Sequence, residues 1–270
     1  MIETEKITSR DNQRLINARK IRDCKDAGRI FIEGRRLVGE ALRSKIVIEE
    51  AFFVEGFSDK ELLSEVMANA TKLFELQEGI FRTIADTDSS QGIILIAERP
   101  KGRSGDIESS VRSGSALPIV LFLHEINNPS NLGAILRTAE AAGVSGIITS
   151  ENSADVYSPK SLRAAMGASF RMPVWDRAAF DDVLLWAEKL GLRPTAADVR
   201  ADESYSDIDW RQPRLLVFGS EAHGLSEADL DRVDERMHIP MENSVESLNL
   251  AVSTGIILFE AKRQFAADNI

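Results

Sequence analysis

The sequence predicts an α/β protein in two units, and three observations carry that expectation. Between Ile7 and Ala97, short apolar runs alternate with helical stretches of about ten residues, the pattern of a small three-layer α/β module. LPIVLFL (Leu117–Leu123) and RLLVFG (Arg214–Gly219) are continuously apolar, as strands buried on both faces of a parallel sheet are. Residues 98–116, ERPKGRSGDIESSVRSGSA, are rich in Gly, Ser and charge and show no apolar period. That stretch reads as a linker, or as a loop too polar to pack. The chain therefore divides into an N-terminal module over 1–98, a linker over 99–116 and a second domain over 117–270.

In the first module Ser9 is placed to cap a basic amphipathic helix running to Asp26. RIFIEG is a strand leading into a helix over Arg35 to Arg43. KIVIEEAFFV reads as a strand, Asp59 to Ala70 as a helix, and TKLFEL and QGIILIA as strands. In the second domain LPIVLFL precedes a helix over Asn131 to Ala142, and VSGIIT is a strand. Ser161 to Ala168 reads as a helix, Phe180 to Leu190 as an amphipathic helix, and RLLVFG as a buried strand. A closing helix spans Val245 to Phe265.

Composition excludes several classes. Apolar residues make up 43% and charged residues 28%, ordinary for a globular protein. No charged leader with an apolar stretch and no membrane-length run occurs, so a cytoplasmic location without membrane attachment is expected. The single cysteine, Cys24, forbids an intrachain disulfide, and His124, His223 and His238 lack metal-ligand spacing, so no metal centre is expected. The net charge is −10, but residues 1–45 hold twelve Lys/Arg against seven Asp/Glu. A basic front on an acidic body is either a solvated helix face or a contact surface for RNA phosphates.

Three stretches carry chemistry. In HEINNPSNLGAILRTAEAAG, from His124 to Gly143, Asn131 falls where a helix N-cap belongs. Leu132, Ile135, Leu136 and Ala139 share one face of that helix. Arg137 lies roughly 140° from Leu132, away from that face. It could project over the carboxyl ends of the strands, where open α/β sheets bind ligands. Spacing alone favours a plain cap at Asn131 and a solvated arginine at 137. In VFGSEAHGLS a strand-end glycine and a second glycine bring backbone close to something, in neither a GxGxxG nor a GxSxG arrangement. Glu221 there reads equally as a site carboxylate or a turn residue. In IPMENSVESLNLAVSTGIILFE, Asn243 and Glu246 have capping-box spacing for the last helix. Leu248, Ala251, Val252, Gly255 and Phe259 form its apolar stripe, with Ser247 and Asn249 in its first turn, off that stripe.

Together NPSNLGAILRTAEAAG, FGSExxGLS and IPMxxSVxSLNLAV closely resemble the three motifs of the SpoU/TrmH family of RNA 2′-O-ribose methyltransferases, of the SPOUT class, in the same order and spacing from about Leu117 to Gln264. The text from ITSRDNQRLINARK to FIEGRRLVGEAL looks more loosely like that family's ribosomal-protein-like substrate-binding domain. The resemblance implies a SPOUT-type parallel sheet with helices on both faces, a deep C-terminal trefoil knot, and a homodimer through the C-terminal domain whose active site draws on both subunits. It makes the small-residue face of the last helix the expected interface. The implied cofactor is S-adenosyl-L-methionine, held by Gly219, Ser220, Gly224, Ile239, Met241 and Leu248. The implied catalytic residues are Arg137, as activator of the hydroxyl, with Asn131, Glu221, Ser247 and Asn249 orienting it, the ribose or the cofactor. A guanidinium resists deprotonation, so Arg137 is expected to act electrostatically and by hydrogen bonding. His124, Glu125 and Asn128 replace the usual Asp-rich lead-in, Ala222 stands where Gly is common, and Ala165 where Ser is frequent. Those departures put RNA choice in doubt rather than the chemistry.

The expected function is methylation of a ribose 2′-hydroxyl in RNA, with 23S ribosomal RNA favoured over tRNA by the extra N-terminal module. A non-catalytic RNA-binding protein keeping the knot is a rival, but Arg137, Asn249 and the Gly219 turn are all intact. A nicotinamide-dependent or acyl-transfer α/β enzyme lacks its fingerprint here.

Overall fold

In the computed structural model, which describes residues 4–114, 117–243 and 245–267, the chain follows two separate sheets. The first series is β1 (Thr4–Ile7), α1 (Gln13–Arg22), β2 (Arg29–Glu33), α2 (Arg35–Arg43), β3 (Ile48–Val54), α3 (Lys60–Asn69), β4 (Ala70–Leu76), α4 (Glu78–Phe81) and β5 (Ile93–Glu98). The second is α5 (Ser104–Ser113), β6 (Leu117–Leu123), α6 (Pro129–Ala142), β7 (Val144–Ser150), α7 (Pro159–Ala165), α8 (Ala168–Arg171), β8 (Val174–Ala178), α9 (Phe180–Lys189), β9 (Arg193–Ala197), β10 (Glu203–Ser204), β11 (Arg214–Phe218), α10 (Glu227–Leu230), β12 (Glu235–His238) and α11 (Leu250–Ala267). Contacts group the residues up to Lys101 with Tyr157–Arg171 as one unit, and Gly102–Val156 with the residues from Met172 onward as the other.

The first unit is a five-stranded sheet in the order β1-β4-β3-β5-β2, with β5 antiparallel to both neighbours. Alternation sorts its side chains. Phe31, Phe52, Phe74, Ile94 and Ile96 join Leu15, Ala18 and Ile21 of α1 in one apolar cluster. The cap of α1 is Asn12, not the expected Ser9: Asn12 Oδ1 accepts from the Arg14 amide at 2.9 Å. Ser9 instead takes the Asp11 amide before the helix begins. The sequence does not announce β1, because TEKI buries only Ile7 along a polar edge. Within this unit Arg163 pairs with Asp86 at 2.5 Å and Arg171 pairs with Glu40. The single helix expected over Ser161 to Ala168 breaks into α7 and α8, because Met166 and Gly167 both adopt positive φ.

The second unit is a seven-stranded sheet in the order β10-β12-β9-β11-β6-β7-β8, with every pairing parallel. As the continuous apolar runs imply, β6 and β11 lie at its centre and β11 is buried throughout. The stretch expected as a linker is instead largely helical. Ile107 of α5 is fully buried over Gly146, where a Cβ would lie 2.8 Å from its side-chain carbons. Val111 joins it against the core. One apolar pair four residues apart is too sparse to register as a period, yet it suffices to seat the helix. Residues 115 and 116 of that stretch lie outside the described residues. No helix among the described residues is long and apolar enough to cross a membrane.

Candidate functional site

Parallel strands end on the same side, and a cavity of about 790 Å³ lies where β9, β11 and β12 end. Ala197, Phe218 and His238, the last residues of those strands, all line it, with Asn131 of α6 and the approach to α11. Of the residues expected to hold a cofactor, Gly219, Ser220, Gly224, Ile239, Met241 and Leu248 all lie on the wall. Of those expected to be catalytic, Asn131, Glu221, Ser247 and Asn249 do too; Arg137 does not.

A chain of hydrogen bonds joins three of these side chains. Glu221 accepts from the backbone amides of Asn127 and Asn128 at 3.2 and 3.3 Å and from Asn131 Nδ2 at 3.2 Å. Asn131 Oδ1 in turn accepts from Asn249 Nδ2 at 3.1 Å. Asn131 is free for this because it is not the cap that spacing suggested. Asn128 caps α6, accepting the Ser130 amide at 2.9 Å, and Pro129 occupies the first helical position, where no N–H is needed. Asn131 therefore falls inside the first turn with its amide group directed at its neighbours.

The last helix also begins later than expected. It starts at Leu250, with Asn249 Oδ1 accepting the Ala251 amide at 2.9 Å and the Asn249 carbonyl taking the Ser253 amide. No capping box forms at Asn243 and Glu246: Asn243 sits at φ +58, and 245–249 run as irregular chain along the cavity. Ser247 consequently lies outside the helix. The register of the apolar stripe shifts with it. Thr254, Ile257, Leu258 and Ala261 are the buried face, whereas Val252 and Phe259 are half exposed. Gly255, assigned to the interface face by sequence, faces Thr138 of α6 within the same chain.

Leu132, Ile135, Leu136 and Ala139 of α6 are fully buried, as their spacing requires. Arg137 is exposed and has no hydrogen bond or ion pair among the described residues. It stands six positions on from Asn131, about 9 Å along the helix and about 120° around it. One chain's cavity thus has the asparagine relay without the arginine.

The turn after β11 is closed by its own backbone. Ser220 donates to the Gly224 carbonyl at 3.1 Å, and Gly224 donates back to the Ser220 carbonyl at 2.9 Å. Gly219 lies so near this return that a Cβ there would be 2.2 Å from the Gly224 carbonyl carbon.

The loop after β9 is a wall that sequence reading missed. Asp198, Val199 and Arg200 line the cavity, and Arg200 pairs with Asp198 at 3.2 Å and with Glu227 of α10. Asp198 first, and then Glu227, holds the Arg200 guanidinium above its usual range. The strand leading to this loop, RPTAA, is short and begins with Arg and Pro, so no apolar run marks its end. The wall as a whole mixes apolar side chains (Leu225, Ile239, Met241, Leu248, Ile257) with the carboxylates of Asp198, Glu221, Glu227 and Glu246. Its volume suits a cofactor-sized ligand.

Comparison with known proteins places the chain in a family. The family model described as the SpoU rRNA methylase family matches residues 118–259, and one described as the MRM3-like substrate binding domain matches residues 12–95. The 23S rRNA (guanosine(2553)-2′-O)-methyltransferase RlmP of Bacillus subtilis (strain 168) is 26% identical, over 96% of this chain and 99% of its own length. Mitochondrial rRNA methyltransferase 3 of Mus musculus is 31% identical, over 88% of this chain and 68% of its own. Among solved structures, an AdoMet-bound rRNA methyltransferase from Sinorhizobium meliloti aligns with a TM-score of 0.83 and 28% identity, covering 96% of this chain and 98% of that one. With the SpoU model spanning more than half of its length, this chain belongs to the SpoU rRNA methylase family.

Proposed function

We propose that this RNA methyltransferase, which uses S-adenosylmethionine, methylates a ribose 2′-hydroxyl of large-subunit ribosomal RNA. The observation that carries the reading is the Glu221–Asn131–Asn249 relay standing beside a cavity walled largely by the loops that follow the strands. The cavity fits the cofactor on its own terms: its volume is that of a cofactor-sized ligand, and its apolar side chains can enclose the adenosyl group. Bound there, S-adenosylmethionine supplies an electrophilic methyl group on a positively charged sulfur. Gly219, Ser220, Gly224, Ile239, Met241 and Leu248 hold it by main chain and apolar contact, within the trefoil knot that the family carries. The names of the relatives, and the match of residues 12–95 to a substrate-binding domain, favour rRNA over a tRNA loop.

A neutral ribose hydroxyl is a weak nucleophile, so the chain's task is alignment and stabilisation of charge on the attacking oxygen. Asn131, fixed at both ends of its amide, and Ser247 position the ribose. Arg137 donates hydrogen bonds to the 2′-oxygen and stays charged, and the proton leaves to a substrate phosphate or water. Because Arg137 lies off its own chain's cavity, the complete site needs a homodimer in which one copy's arginine reaches the other's pocket. The half-exposed Val252 and Phe259, with Val245 and Leu248, are the apolar surface for that association. The enzyme works in the cytoplasm, where its rRNA substrate is assembled.

Transfer of labelled methyl from S-adenosylmethionine to rRNA of cells lacking the gene tests this reading, with the modified position mapped as 2′-O-methyl. Arg137→Ala should bind cofactor normally and lose turnover by about 100-fold or more. Mixing Arg137→Ala with Gly219→Val, each inactive alone, should restore part of the activity, since one mixed site combines an intact pocket with an intact arginine. No recovery on mixing would sink the shared site, and base methylation would sink the ribose assignment.

A further inference from the structure

We propose that the first unit carries a second nucleotide site, a pocket that takes one unstacked guanine base of the RNA and reads it through Glu33. The inference rests on the RNA-methyltransferase reading and names part of its substrate preference, away from the methyl-transfer cavity. A separate cavity of about 310 Å³ opens beside the end of β2, within the unit formed by the residues up to Lys101 and Tyr157–Arg171. That volume holds a purine.

Glu33 lines the cavity with only 5% of its surface exposed. Its Oε2 accepts from the Asp86 amide and its Oε1 from the Thr87 hydroxyl, both at 2.8 Å. No Lys, Arg or His pairs with it among the described residues. A buried carboxylate without a cation is costly, and each of its oxygens keeps a lone pair for a further donor. Two parallel N–H donors from the cavity would complete it. Arg163, which also lines the cavity, is committed to Asp86 at 2.5 Å. At the amino end of α2 the Arg35 amide is already taken by Gln91 Oε1 at 2.7 Å.

Chemistry selects the base. Guanine alone presents N1–H and N2–H side by side on its Watson–Crick edge, a match for both carboxylate oxygens. Adenine and cytosine offer one amino donor beside an acceptor, and uracil sets carbonyls on either side of its single N–H. Leu37 and Met166 give the base apolar walls, and Arg36, exposed and unpaired among the described residues, stands at the rim for the nucleotide's phosphate. Mixed walls with little net charge suit a base better than a free phosphate.

The test uses the full chain with S-adenosylhomocysteine bound and seven-nucleotide uridine tracts carrying one central G, A, C, inosine or 7-deazaguanosine, read by fluorescence anisotropy. The G and 7-deazaguanosine tracts should bind about tenfold more tightly than A, C or all-U, and inosine, lacking N2–H, should lose most of that advantage. Glu33→Gln should level the preference while leaving S-adenosylhomocysteine affinity unchanged. Met166→Trp, which fills the cavity and leaves the carboxylate in place, should level it too. Arg36→Ala should weaken all the tracts alike by a few-fold. RNA binding without a guanine preference, or a preference that survives both Glu33→Gln and Met166→Trp, overturns the pocket and leaves the methyltransferase reading standing. Failure to bind or methylate any rRNA fragment overturns both.

Discussion

Gly219→Ala adds one methyl group to a turn with no room for it. The new carbon would stand 2.2 Å from the Gly224 carbonyl carbon, 2.3 Å from the Leu225 nitrogen and 2.4 Å from the Gly224 oxygen. All three are backbone atoms, so no change of rotamer relieves the clash. Gly219 is not among the positive-φ glycines, so the cost is contact rather than torsion. Relief requires the 220–224 turn to open, giving up its two reciprocal hydrogen bonds at about 1 kcal/mol each. With residual strain the sum is about 3 kcal/mol. The turn forms one wall of the cavity, so the loss falls on cofactor affinity, a rise in Kd of about 100-fold. Gly224→Ala is the control. It has nothing within 4 Å of its Cβ and φ of +68, so it bears only the torsional cost, about 1 kcal/mol and about fivefold in Kd. Titration calorimetry with S-adenosylmethionine on the three proteins reads both effects. Binding by Gly219→Ala within threefold of wild type, or an equal loss in Gly224→Ala, would refute the packing argument.

Glu221→Gln keeps one acceptor where a carboxylate serves three donors, so kcat should fall about tenfold with cofactor Kd nearly unchanged; an unaltered kcat removes Glu221 from the relay. Arg214, 2% exposed, donates to Thr195 at 2.8 Å and to the Asp209 carbonyl at 3.1 Å and pairs with Glu235, at the strand ends opposite the cavity. Arg214→Met should therefore lower stability by about 3 kcal/mol in denaturant melts while cofactor affinity holds. Reversing the exposed Arg10, Lys20 and Lys45 to glutamate should reduce the slope of log affinity for rRNA against log salt by about two to three. An unchanged slope would show that the basic front is merely solvated.

Strong one-dimensional signals were legible, and signals that depend on where the chain turns back were not. LPIVLFL and RLLVFG could only be central strands, since seven and five apolar-rich residues in a row have no face to offer water. Leu132, Ile135, Leu136 and Ala139 fixed the buried side of α6, and hence the outward direction of Arg137, by angle alone. Helix starts were less certain, because Ser, Asn and Asp cluster near them. Ser9 competed with Asn12, Asn131 with Asn128, and Asn243 with Asn249, and in each case the competitor nearer the helix or the proline won. The cavity wall at Asp198 to Arg200 was invisible because β9 becomes a strand through its neighbours β11 and β12, not through its own five residues. The segment Tyr157–Arg171 groups with the first unit, where α7 packs against β2 and Arg163 and Arg171 pair with Asp86 and Glu40, far away in sequence. No local pattern encodes such a pairing.

The two kinds of grip in this site divide the work by what each must tolerate. The cofactor is the same molecule in every turnover, so turns fixed by their own hydrogen bonds, such as Ser220 to Gly224, can hold it without side-chain reach. In the proposed site the ribose arrives on a large, varied RNA, and the side chains assigned to it are held from behind: Asn131 by Glu221 and Asn249, and Glu221 by two amides of the α6 approach. Asn249 belongs to both systems, since it also starts α11, which carries the exposed Val252 and Phe259 of the proposed interface. Ordering of residues 245–252 by cofactor would therefore order the same segment that a second copy must meet. Linkage makes the effect reciprocal: whatever association adds to cofactor affinity, cofactor adds to association. On the proposed shared site, an arginine about 120° away from its own chain's relay would be a safeguard, because a lone copy could hold a cofactor but would lack the group assigned to activate the hydroxyl.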